Sequence, residues 1–434
     1  MNRTEVRAAL KAVLNPEGEL YKKALREHPE VPPDQVRQWI AMDLATPVAA
    51  VLAGQPEYHR CLNMMLQSGM GPQITFRPDR AAQLLVLNAM KSDADSAVNW
   101  LADLLENARA SGLHVMPLWQ LTIEAAITLT RDIELIPFSL LPLSPMTAGL
   151  EGPPDAFSVH WMLPGPLLGR QQPTAALTTR KVVDPLFVDA EEELRRELDP
   201  LPNILDDVRL CLSAIGPHPI LGPVRWYQFD DPDLNIAAGG GIAGMPLEIL
   251  PSWLFPPLAL DAEAARTLVA KFLALPAKIR ERARIALQRL FQAMLRREPG
   301  DKAADLSIAL EALLTDQAGE HTWKVSTRAG MLTGWDLQSR LDRRNVIAAT
   351  YRMRSSLVHS GKASKMIRVS KGDLRPADKV CEEATRICAA VVRAIIECGE
   401  IPSWPEFDVS GGVFGWPQSH PVARSKALTT GVKS

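Results

Sequence analysis

Tyr351-Arg352-Met-Arg354-Ser355-Ser-Leu-Val-His359-Ser-Gly361 is the stretch from which both fold and function are read. Val346, Thr350, Met353 and Leu357 recur at three- and four-residue intervals, which predicts a helix from about Asp336 to His359 with Gly361 as its left-handed stop. Ile347, Tyr351 and Val358 widen this stripe, Arg354 falls inside the widened arc, and the stripe reads as a surface shared between two copies. Helical signals continue on both sides. Asp261 is expected to cap a helix to about Ala274, and a second follows from Lys278 to Arg297. After the turn Glu298-Pro-Gly, Asp301 caps a third helix to Leu314. A fourth spans Thr322 to Leu332 and closes at Gly334. Downstream, a basic loop from Lys362 to Arg375 leads to a last helix opened by Pro376 and running through Ile396. Cys381 and Cys388 share a face of that helix and read as core residues.

Outside this bundle the texture changes. From Leu113 to about Pro257 the chain is proline-containing and strand-rich. Leu121–Glu124 and Ile127–Ile136 alternate with period two. Further strands are expected at Phe157–Met162, Ala175–Val183 and Val224–Phe229, with helices at Ala190–Leu198 and Ile204–Ile215. Residues 1–112 read as helical, with a last helix capped by Asp95 and closed by Gly112. Residues 401–434 hold Trp404, Phe407, Phe414 and Trp416 and read as an extended tail that packs partly and then frays. The expected fold is therefore α+β and multidomain: a helical N-terminal region (1–112), a β-rich α+β sensor or regulatory region (113–258), an all-α C-terminal bundle (259–400) and a tail (401–434).

Composition narrows the function classes. The chain has 434 residues, 47% of them hydrophobic and 23% charged, which excludes disorder as the main state. Five cysteines without a CxxC pair give neither a disulfide framework nor a cysteine-based zinc site. The start reads as an amphipathic helix rather than a signal peptide, the most apolar run is short and proline-broken, and a cytoplasmic protein without a membrane span is expected. Charge is uneven: residues 259–400 carry 25 Lys+Arg against 17 Asp+Glu, and the remainder 23 against 33. A basic block on an acidic remainder suits a polyanion-binding module attached to something else. Gly239-Gly-Gly-Ile-Ala-Gly244 matches the dinucleotide-binding pattern by letter. It lacks the flanking strand and helix signals that pattern needs, and reads as a connector. HExxH, GxSxG and Walker-type motifs are absent.

Three segments in order carry a resemblance: Leu306-Ser-Ile-Ala-Leu-Glu311-Ala-Leu-Leu, Ser326-Thr-Arg328-Ala-Gly-Met-Leu, and Tyr351-x-x-Arg354-Ser-x-Leu-Val-His359. Over about residues 260–398 the chain resembles the HEPN domains, and within them the Apea-like branch found in prokaryotic defence proteins. That family usually has Gly directly after the histidine, where this chain has Ser360-Gly361. The resemblance implies a metal-independent ribonuclease of an antiviral-defence, abortive-infection or toxin system. It places Arg354 and His359 in a cleft between two protomers. It implies RNA as substrate, a homodimer, no cofactor and no metal; a phage- or host-derived trigger is expected to act at the N-terminal regions.

Elementary chemistry fits this expectation. Attack by a ribose 2′-hydroxyl on the adjacent phosphate needs proton transfer and cations on the phosphoryl oxygens. His359 is the candidate proton-transfer group, and the negative end of its helix suits a general acid or phosphate contact. Arg354 is the candidate fork for the non-bridging oxygens. Tyr351, Ser355, Arg352 and Glu311 are auxiliary candidates. Glu311 in an apolar run reads more readily as a structural partner of Arg354, and Arg328 is ambiguous between structure and function. Arg343, Arg344, Lys362, Lys365 and Arg368, with Lys371, flank the motif and are expected to track an RNA backbone. On an ideal helix Arg354 and His359 point about 140° apart, so pairing of two helices about a two-fold axis is expected to complete one site. The competing readings are a non-catalytic dimerisation or RNA-binding module, and a metal-dependent enzyme using His160 or His218.

Overall fold

A computed structural model of the chain describes all residues except 1, 28–32, 60–63, 68–71, 143, 152–170, 190–203, 238–241, 245–255, 316–320, 362–363 and 411–434. The strand expected at Phe157–Met162, the helix at Ala190–Leu198, Lys362, His160 and the tail aromatics Phe414 and Trp416 lie outside the described residues. The protein is a mixed α/β chain, and none of its described helices is long and apolar enough to cross a membrane.

The N-terminal part contains α1 (Arg3–Val13), α2 (Glu19–Glu27), α3 (Pro33–Ala53), α4 (Pro56–His59), α5 (Pro78–Lys91) and α6 (Ala94–Asn107). Val6, Leu10 and Val13 line the buried side of α1, as the sequence period requires. The region is not purely helical, because β1 (Met64–Gln67) and β2 (Pro72–Thr75) form an antiparallel hairpin between α4 and α5. Asp93, not Asp95, caps α6 by accepting from the Ser96 N–H at 2.7 Å. Ala108, at φ 49°, closes that helix, and Gly112 already lies in the next strand.

That strand, β3 (Ala110–Leu118), crosses the expected boundary at 112/113 and is an inner strand of the main sheet. Following it are β4 (Leu121–Thr122), β5 (Ile127–Thr128), β6 (Ile133–Pro137), α7 (Pro145–Glu151), β7 (Ala175–Val183), β8 (Phe187–Asp189), α8 (Ile204–Ile215), β9 (Val224–Phe229), α9 (Pro232–Ala237), β10 (Ile242–Gly244) and β11 (Leu258–Ala259). The six-stranded sheet has the order β10-β9-β3-β7-β6-β5, and all its described pairings are antiparallel. Ile127–Ile136 is not one strand but a tight hairpin in which Ile127 faces Leu135. Residues 242–244 of the expected connector form the edge strand β10.

The C-terminal part contains α10 (Ala262–Ala274), α11 (Ala277–Leu295), α12 (Pro299–Leu314), α13 (His321–Thr333), α14 (Leu337–Ser360), α15 (Ala377–Cys398) and α16 (Trp404–Val409). It is not all-α. The expected basic loop 362–375 contains the hairpin β12 (Met366–Ser370) and β13 (Asp373–Pro376), turned at Lys371-Gly372 with Gly372 at φ 81°. Nor is the start of the tail extended: α16 buries Trp404 and Phe407. Cys381 and Cys388 are buried, and burial pushes both thiols up to about 12.

Among the described residues there are two apolar cores. One joins α1–α6 to Val183, Phe187, Tyr227 and Phe229. The other runs from Met116, Leu177 and Trp226 of the sheet through Cys211 of α8 to Leu310, Val346 and Ile395 of the bundle. No core boundary therefore coincides with 258/259. α8 bridges the two parts: Arg284 pairs with Asp207 at 2.8 Å, and Arg393 donates to the Ile215 carbonyl at 3.0 Å. Where α13 crosses α14, a Cβ on Gly330 would lie 2.5 Å from the Arg340 carbonyl oxygen. Gly330→Ala is thus expected to force the helices apart and cost about 1–3 kcal/mol, read from the urea midpoint of unfolding.

Candidate active site

α14 starts from a capping box in which Asp336 accepts from the Ser339 N–H at 2.7 Å and Ser339 Oγ accepts from the Asp336 N–H at 3.0 Å. It stays helical through Ser360 and ends at Gly361, whose φ is 69° and whose N–H donates to the Leu357 carbonyl at 2.9 Å. The end does not unwind earlier, so the five-residue spacing still separates residues 354 and 359 by about 140° around the axis. His359 is exposed in the last turn.

Arg354 points towards α12. Its Nη1 donates to Glu311 Oε1 at 2.6 Å, and the Tyr351 hydroxyl donates to the same oxygen at 3.0 Å. The guanidinium carbon is 5.9 Å from the centroid of the Tyr351 ring. This network lies at the margin of the bundle rather than deep in it: the Arg354 side chain is 33% exposed and that of Glu311 24%. Neither Arg354 Nε nor Nη2 makes a further hydrogen bond within the described residues. Burial, and then the Glu311 charge, pushes the Tyr351 phenol well above its usual range, so it stays protonated and serves as a hydrogen-bond donor to Glu311.

The other sequence candidates divide into two groups. Arg352 is exposed, but its Nη2 donates to the Arg368 carbonyl at 2.5 Å, tying β12 to α14. One terminal nitrogen is thereby committed to the backbone of β12. Arg343 donates to the Thr333 carbonyl and stacks over Trp335 at 4.9 Å, and Arg344 leans on Thr327 Oγ1 at 3.4 Å. Both lie some four turns back along α14, roughly 22–24 Å from His359 along the axis. Ser355, Lys365 and Arg368 are exposed.

The core stripe also needs correction. Val346, Ile347, Thr350, Tyr351 and Met353 are buried inside their own bundle and offer nothing to a second copy. At the helix end, Leu357 is half-buried and Val358 is 71% exposed beside His359. His218 is half-buried with its imidazole held below the usual range by burial, and among the described residues no group of three or more His, Cys, Asp or Glu is placed to hold a metal ion.

Sequence reasoning missed two features. The hairpin had a signal, since Ile367 and Val369 alternate with exposed Arg368, but the basic residues around it read as a loop. The role of Arg328 had none: it reaches across to Asp408 of α16 at 2.8 Å, 80 residues away. No protein-family model, curated protein or solved structure matches the chain.

Proposed function

We propose that the protein is a metal-independent endoribonuclease of HEPN type, an effector of a prokaryotic antiviral-defence or toxin system that acts as a homodimer. The observation that carries this reading is the end of α14. An exposed imidazole there stands on the same helix end as a guanidinium that is anchored through one nitrogen and whose other two nitrogens are unengaged among the described residues. Such an arginine is positioned by Glu311 and still offers part of its fork to phosphoryl oxygens.

Two copies of this helix end, meeting with Val358 at the contact, supply two imidazoles and two guanidiniums to one phosphodiester. The 2′-oxygen forms a bond to phosphorus as the bond from phosphorus to the 5′-oxygen breaks. The 2′-hydroxyl proton passes to a base, and His359 of one copy protonates the leaving 5′-oxygen. The products are a 2′,3′-cyclic phosphate and a 5′-hydroxyl. Lys365 and Arg368, exposed beside the site, hold the flanking backbone, with binding that weakens as salt rises. The acidic remainder of the chain suits electrostatic covering of this basic face until a trigger acts on residues 1–257.

The test is total RNA incubated with the purified protein in excess chelator. Cleavage leaving those two end groups is the expected result; cleavage abolished by the chelator, or full activity from a monomer in light scattering, overturns the proposal. The Arg354–Glu311 ion pair favours a second reading, a bundle that binds RNA or dimerises without cutting. Glu311→Gln separates them. With the nuclease it is expected to cost about 1 kcal/mol of stability and to slow cleavage roughly tenfold, because Arg354 loses its anchor. With the binding module, stability falls alike but neither protein cleaves.

A further inference from the structure

The main sheet carries a cationic seam that the nuclease reading leaves unused. On one face of β3, β7 and β9 the two apolar cores approach each other from opposite ends of the strands. Val183, Phe229 and Tyr227 belong to the N-terminal core, whereas Met116 and Leu177 belong to the core that runs into the bundle. Between them sits His114. It lies directly opposite Tyr227 on β9 and Thr179 on β7. Arg225, two residues before Tyr227, shares that face, as does Lys181, which pairs with Gly112. Gly112 is required here: a Cβ would lie 2.7 Å from the Tyr227 ring, which crosses it so that its hydroxyl reaches the Lys181 carbonyl at 2.7 Å.

Three observations converge on this seam. Among the described residues His114 Nε2 is enclosed without a hydrogen-bond partner, and so is Arg225 Nε. Arg225 has no ion pair among the described residues; the nearby Asp206 carboxylate already accepts from Arg209 at 2.8 and 2.6 Å. Burial, with the charges of Arg225 and Lys181, holds the His114 imidazole down at about 4. A half-buried guanidinium and imidazole beside an exposed ammonium, with no carboxylate hydrogen-bonded or ion-paired to them among the described residues, are unusual unless something binds there.

We propose that His114, Arg225 and Lys181 form a binding site for an oxyanion of the phosphate class, carried by a small phosphorylated ligand or present as free phosphate. Arg225 supplies the fork, its terminal nitrogens not being among the enclosed atoms, while His114 donates from Nε2 and Lys181 closes the rim from the exposed side. The site is built on rigid antiparallel strands at the junction of the two cores, so its occupancy stabilises both.

Calorimetric titration of the full chain tests this, with inorganic phosphate in one arm and adenosine 5′-monophosphate in the other. Side-chain nitrogen spectra of the histidines are recorded alongside. The expected result is saturable binding in at least one arm, weakened tenfold or more by Arg225→Gln and by His114→Gln, and accompanied by a shift of the His114 resonance that Arg354→Ala retains. Binding in the nucleotide arm alone assigns a phosphorylated ligand, and equal binding in both assigns free phosphate. Absence of saturable binding in both arms overturns the proposal. So does binding that both variants retain, or an unmoved His114 resonance. Because Arg354→Ala leaves this site intact, loss of the nuclease reading and loss of this one are separate outcomes.

Discussion

Replacing His359 with alanine is expected to reduce RNA cleavage by about 10²–10⁴-fold while leaving the unfolding midpoint nearly unchanged. The imidazole is exposed in the last turn of α14, and Gly361, not His359, provides the helix stop. Truncation therefore removes a proton donor without opening the core. Arg354→Ala is expected to cost a similar factor in rate, but with a measurable loss of stability, because Glu311 loses its charge partner and keeps only the Tyr351 hydroxyl. Arg354→Lys keeps the charge and is expected to restore stability more than rate, since an ammonium satisfies Glu311 but then has no planar fork left for phosphate. Initial rates on end-labelled RNA in excess chelator, read beside thermal melts, check all three. A His359→Ala protein that cuts at the wild-type rate removes the imidazole from the mechanism.

The largest effect on stability is expected at Arg328. Its side chain is 2% exposed. Nη1 donates to the Leu314 carbonyl at 2.5 Å, Nε and Nη2 donate to Asp408 at 3.1 and 2.8 Å, and the guanidinium lies 4.8 Å from the Trp404 ring centroid. Arg328→Met removes the buried charge but strands the Leu314 carbonyl and the Asp408 carboxylate. The expected loss is about 3–5 kcal/mol, seen as a lower urea midpoint. Asp408→Asn tests the cause: in a double-mutant cycle the two substitutions are expected to be non-additive by about 0.5–3 kcal/mol. Additive effects would show that α16 is not held by this pair. Arg328 belongs to one of the three segments that carry the family resemblance, and its contacts give it a structural role that needs no catalysis.

The helices of the bundle were legible because their apolar spacing and caps are local. Asp261 accepts from the N–H groups of Glu263 and Ala264, and Asp336 and Gly361 bound α14 as expected. Strands Ala175–Val183 and Val224–Phe229 were also marked by their residue types. Errors gathered where local signals compete. Asp93 and Asp95 are both competent caps, and only the backbone path selects Asp93. Charged residues on β12 obscured a two-residue period that needs just Ile367 and Val369 to cover the bundle. The candidate site was legible as residues but not as geometry. The five-residue spacing fixed the divergence of Arg354 and His359, whereas the direction of Arg354 depended on an acid 43 positions away.

By itself the sequence determined that the chain mixes helices and strands, the place of α14 and the identity of the groups at its end, because helix periodicity, capping and side-chain chemistry are properties of neighbouring residues. Only the tertiary structure decided that Glu311 grips Arg354, that Arg328 holds α16, and that two cores meet over His114. Each of those depends on the distance between residues far apart in the chain, and that distance is set by how helices and strands bury their apolar faces together.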